Sequence, residues 1–149
     1  MNIVEGYPPN IEAINRVFLR PLVRVLYCYG DTIYNPGGIE VTSSLMEHEK
    51  VHSQRQGDQP GPWWHAYIHN PHFRIEEEVL AHMAEYAEIL AQNPNRATRR
   101  RNLSHISHRL AGPMYGRLLS LDKARLAITT GVVPAPLVRG EPGMVEGVA

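Results

Sequence analysis

The chain has 149 residues, enough for one domain with a modest core and short for two. Lys plus Arg balances Asp plus Glu at 15 each, so no net field draws it to nucleic acid or an anionic membrane. No stretch approaches the roughly 20 apolar residues of a spanning helix. The opening MNIVEGYPPN lacks a basic start followed by an apolar run, and the single cysteine, Cys28, excludes an internal disulfide framework.

Those features describe an ordinary globular chain of the cytoplasm. Residues 1–14 read as an irregular or partly helical lead-in broken at Pro8-Pro9. VFLRPLVRVLYCYG and GDTIYNPGG are rich in Val, Leu and Tyr and carry turn signals, which predicts strands near 16–20, 22–29 and 31–35 with an antiparallel hairpin about Gly30-Asp31. Helical signals follow. Ser44 with Glu47 fits a capping box opening a helix over 44–56, closed by Gly57. Residues 58–62 read as a loop and 63–70 as an aromatic connector. Asn70-Pro71 opens a second helix that runs to about residue 92, a third covers about 96–111, and a fourth about 114–129. The fold class is α+β, a small antiparallel sheet beside a helical layer. A single domain is expected over 1–130, with a Pro/Gly-rich tail over 131–149.

Chemistry concentrates in His48-Glu49-Lys50-Val51-His52, the H-E-x-x-H spacing. A shuffled chain of this composition shows that spacing roughly once in thirty times, so its surroundings must carry the reading. At about 100° per residue, His48 and His52 lie on one helix face a turn apart, and both imidazoles reach one ion with Glu49 beside it. Catalytic zinc needs a third protein ligand and a water. Glu78 lies on the second helix at the edge of the apolar stripe formed by Ile75, Val79, His82, Met83 and Tyr86. Glu76 flanks the other edge. Asp58 follows the second histidine by six residues, and His82 sits one turn beyond Glu78, as a ligand or as a group behind one.

A hairpin followed by an H-E-x-x-H helix resembles the zincin metallopeptidases. Glu78 with Ala81, on a second helix a couple of dozen residues on, resembles their gluzincin branch, whereas Asp58 falls where metzincin-like enzymes place a third ligand. The resemblance implies Zn2+ held by His48, His52 and Glu78, Glu49 as the catalytic base, a peptide or protein substrate, and a hairpin edge that takes an extended peptide by strand addition. Tyr67, His82, His105, His108 and Tyr115 are the candidates to stabilise the oxyanion.

The longer stretch HEKVH…WWHAYIHNPHFRIEEEVLAH is similar to small H-E-x-x-H proteins of phages and prophages. That implies an alternative: a structural or accessory component of a larger assembly such as a virion, contacting neighbouring subunits, with a stabilising or vestigial zinc site. Trp63-Trp64 are read as core packing, His65, His69 and His72 as solvated, and Arg96, Arg99, Arg100 and Arg101 as a solvated or partner-facing run rather than a nucleic-acid patch.

Overall fold

A three-stranded sheet and six α-helices make up residues 1–18 and 24–137, the part of the chain that the computed structural model describes. The strands are Asn2–Val4 (β1), Tyr27–Tyr29 (β2) and Thr32–Tyr34 (β3), in the order β1-β3-β2. The expected hairpin is present. β2 and β3 pair antiparallel across Gly30-Asp31, and Gly30 has φ 63°, which a side chain would oppose. The sheet is mixed rather than antiparallel, because β1 joins β3 in parallel with Ile3 opposite Ile33. All three β1 residues are exposed, so no alternation of buried and solvated positions marks that strand in the sequence.

The strand expected near 16–20 is corrected at its start. Ile11–Val17 (α1) is helical, and residues 19 and 20 lie outside the described part. Ile11, Ile14, Val17 and Phe18 all join one apolar cluster, at the three-to-four-residue spacing of a helix face. That spacing outweighs the β-leaning composition. The strand expected over 22–29 contracts to β2, residues 22 and 23 also lying outside the described part.

The other helices are Ser43–Gln56 (α2), Pro60–His69 (α3), Pro71–Ala91 (α4), Arg96–Leu110 (α5) and Leu121–Thr130 (α6). The Ser44–Glu47 capping box does not form. Thr42 caps α2, its Oγ1 accepting from Leu45 N at 3.2 Å, while Glu47 pairs with Lys50. The loop and connector expected over 58–70 are largely helix, because prolines 60 and 62 fall in the first turn of α3, where an amide is not needed. The fourth helix starts later than expected. Pro113–Tyr115 is a 3₁₀ turn, and Ser120 caps α6 through Lys123 N. Of the expected tail, residues 131–137 run without regular structure and Leu137 N donates to Leu118 O at 2.7 Å; 138–149 lie outside the described residues. Among the described residues no helix is long and apolar enough to cross a membrane.

α4 is the central element, packed against α2, α3, α5 and α6. One apolar cluster joins α4 to α5 and α6 through Ile75, Val79, Ile106, Leu110 and Ile128. The other joins α1, β2 and α3 through Ile14, Tyr27, Trp63, Trp64 and Tyr67. Gln56, at the end of α2, ties that helix to the hairpin. Its Nε2 donates to Cys28 O at 2.9 Å and its Oε1 accepts from Gly30 N at 2.7 Å. Gln56→Ala takes the partner from Gly30 N and one of two donors from Cys28 O, and Gln56 is only 3% exposed, so the expected loss is about 1–3 kcal/mol. Urea titration checks this, and an unchanged midpoint would contradict the tie.

Candidate metal centre

The buried residues of α2 are His48, Glu49, His52 and Gln56, every one polar. A helix that buries its polar side must find partners for it, since unpaired polar groups in the interior are costly. α4 supplies them with Glu78, His82 and Glu85, also buried. His48 Nε2 lies 3.5 Å from Glu78 Oε2, and His52 Nε2 lies 3.3 Å from Glu78 Oε1. One ligand atom from each of the three residues falls within 4.8 Å of the others. Ligand atoms bound tetrahedrally at 2.0–2.1 Å lie ~3.3 Å apart, so the spacing fits one small cation.

The same carboxylate carries further signs of that fit. Glu78 Oε1 accepts from Tyr67 Oη at 2.6 Å, but Glu78 Oε2 is buried with no hydrogen-bond partner among the described residues. Burial alone would raise the Glu78 carboxyl, yet His52 and His48 draw it well below the usual carboxylate range. His48 is opposed by burial but pushed up to about 10 by the Glu78 and Glu85 carboxylates beside it. Glu49 is 5% exposed, and no described residue hydrogen-bonds its carboxylate. Burial raises its pKa, an effect that His48 and His52 partly oppose.

The structure thus brings His48, Glu49, His52 and Glu78 together. Asp58 is exposed beyond Gly57, whose φ of 56° and ψ of −130° end α2, and it stands outside the cluster. Glu76 is exposed, 3.7 Å from Arg55. Glu77 is buried, held by Arg55 Nε at 2.6 Å and Trp63 Nε1 at 3.1 Å. His82 does not join Glu78's triad. Its Nδ1 donates to Glu78 O at 2.7 Å, which leaves Nε2 to accept from Arg109 Nε at 3.3 Å. Burial, His48 and Arg109 hold it neutral, with a pKa pushed down to about 3.

Two members of the cluster were not recognised in the sequence. Glu85 Oε2 lies 3.0 Å from His48 Nδ1, and Arg109 on α5 pairs with the same oxygen. Glu85 follows Glu78 by seven residues, two helical turns, so the stripe that exposes Glu78 also carries Glu85. No local signal places Arg109, because its contact is made between helices.

His48, Glu49, His52 and Glu78 lie against a cavity of about 90 Å³ walled by side chains of α1, β2, α3 and the 3₁₀ turn. Trp63 and Trp64 are core residues, as expected, and also line this wall. Trp63 stacks on Tyr67 at 5.0 Å and meets the edge of His52 at 5.3 Å. Arg74, buried at the start of α4, donates to the carbonyls of Tyr67, Ile68 and Tyr115, so one guanidinium positions both tyrosines at the cavity. No described residue hydrogen-bonds the Tyr115 hydroxyl. His105 and His108 are exposed on α5, and His65, His69 and His72 are exposed as well. The four arginines at 96 and 99–101 are solvated. The edge of β2 is partly filled, since Cys28 O accepts from both Gln56 and Trp64 and Gly30 N is bound by Gln56. A peptide adding at this edge would have to displace them.

Comparison with protein-family models, with curated proteins and with solved structures finds no match.

Burial alone would raise the Glu85 carboxyl, but its hydrogen bond to His48 and the Arg109 guanidinium draw it down to about 2. A carboxyl depressed on folding stabilises the fold above its unfolded value, about 4.3, and ceases to as pH falls through its folded value. The stability gap between the wild type and Glu85→Gln is therefore full at neutral pH and closes as pH falls from about 4 to about 2. Denaturant titrations across that window check it, and a constant gap would contradict the pairing.

Proposed function

We propose that the chain is a zinc-dependent amide hydrolase of the peptidase type, with His48, His52 and Glu78 as metal ligands and Glu49 as general base. The convergence of two imidazole nitrogens and one carboxylate beside a cavity carries this reading. Two histidines and a glutamate suit zinc and leave a fourth position for water. Charge supports it too. With the imidazoles neutral, as ligation needs, Glu49, Glu78 and Glu85 against Arg109 leave two negative charges, those a divalent cation balances.

Bound zinc would lower the pKa of a water towards about 7 and polarise a substrate carbonyl. Glu49 takes the proton from the attacking water and returns it to the leaving amine. Burial raises its carboxyl towards the range in which both transfers run near neutral pH. Tyr115 has a free hydroxyl at the cavity and is the donor best placed for the developing oxyanion. Tyr67 is committed to Glu78 and holds that ligand in place. Of the remaining candidates, His105 and His108 are exposed and His82 is engaged on both nitrogens.

A library of quenched-fluorescent peptides tests the reading. Glu49→Gln lowers kcat/KM by about 10²–10⁴ with zinc content unchanged, and Tyr115→Phe lowers kcat by about 10²–10³ with little change in KM. Wild-type protein that holds zinc yet cleaves no peptide would contradict the hydrolase reading. A stabilising metal would then remain, as the assembly component requires.

A further inference from the structure

We infer that Arg109 is a built-in cation that keeps the zinc centre mononuclear, its guanidinium closing a second three-donor cage that shares His48 with the first. This rests on the zinc centre proposed above. The second cage consists of His48, His82 and Glu85, all buried, with one donor atom from each within 4.8 Å of the others. It meets the same spacing as the first triad, but its contents differ. Arg109 Nη2 pairs with Glu85 Oε2, and Arg109 Nε donates to His82 Nε2 at 3.3 Å, so the guanidinium engages two of the three donors. His82 gives its Nδ1 proton to Glu78 O and aims its Nε2 lone pair at Arg109. His48 meets Glu78 through Nε2 and Glu85 through Nδ1, so a second zinc displaces the Nδ1 proton to solvent and makes His48 a bridging imidazolate between the two ions.

Charge explains why one cage takes an ion and the other does not. Glu49 and Glu78 give the first two uncompensated negative charges. In the second, Glu85 is already neutralised by Arg109, so a divalent ion would lose its hydration for no net attraction. Without Arg109, the buried Glu85 carboxylate keeps only its contact with His48 and stands beside two imidazoles, the donor set zinc prefers. Access exists as well: a groove of about 480 Å³ between α2, α4 and α5 has Glu85 and Arg109 in its lining.

Zinc per chain, measured by elemental analysis after loading with excess zinc and gel filtration, tests this. A His69→Ala background removes the exposed His65–His69 pair, whose rings lie 4.6 Å apart and would bind zinc adventitiously. In that background the unmodified centre is expected to hold one zinc. Arg109→Ala and Arg109→Met are expected to hold two, and Arg109→Met keeps the aliphatic packing if Arg109→Ala fails to fold. Adding Glu85→Gln to either returns the count to one, and Arg109→Lys, which restores the charge, holds one. A single zinc in both the Ala and Met variants, or two in the protein with Arg109 intact, would overturn the inference and leave the hydrolase reading standing. No zinc in any of them would overturn that reading as well.

Discussion

The Glu78 carboxylate is the interaction on which the rest depends. It sits where α2 and α4 meet, and both helices bury polar side chains at that seam. Glu78 faces His48 and His52 across it, receives the Tyr67 hydroxyl, and offers its backbone carbonyl to His82. Two helices packed on apolar residues would hold together by area alone. These two hold together by matching donors to acceptors, which is geometrically exacting and leaves few ways to be nearly right. One oxygen of Glu78 is still unpaired in that arrangement. The interior is stable around this seam only if something positive completes it, a proton on a histidine or a metal ion.

The rest of the fold brings that seam to a cavity. Gln56 fastens α2 to the hairpin, so β2 becomes a wall instead of a free edge. Trp63 bridges two layers, its ring against His52 and Tyr67 and its Nε1 on Glu77. Arg74 gathers the last carbonyls of α3 and the carbonyl of Tyr115, so the aromatic wall and the 3₁₀ turn move with the start of α4. Behind His48, Glu85 and Arg109 lock the imidazole from the far side. Such support from behind is what holds a ligand's ring orientation and tautomer.

What the sequence revealed follows from where each signal is stored. HEKVH and Glu78 were legible because their information is local: fixed spacing on one helix, and a stripe on another. Asn70-Pro71 and Gly57 were legible for the same reason, as end signals with a backbone mechanism. The α+β class followed from the hairpin turn and the helical periods. β1 was not legible, since an exposed three-residue strand is defined by its partner and not by its own pattern. α3 was hidden by prolines that act as breakers almost everywhere except the first turn. Arg109 was hidden more deeply. Its partners lie 24 and 27 residues away on another helix, and nothing within α5 distinguishes it from the solvated arginines upstream.

X-ray absorption at the zinc edge, on protein loaded with one equivalent, tests the account most directly. It predicts nitrogen and oxygen scatterers alone at about 2.0–2.1 Å, with the outer-shell pattern of two imidazoles, and the loss of bound zinc in Glu78→Ala. A sulfur scatterer at about 2.3 Å, which would place Cys28 on the metal, or an imidazole count other than two, would contradict the centre described for His48, His52 and Glu78.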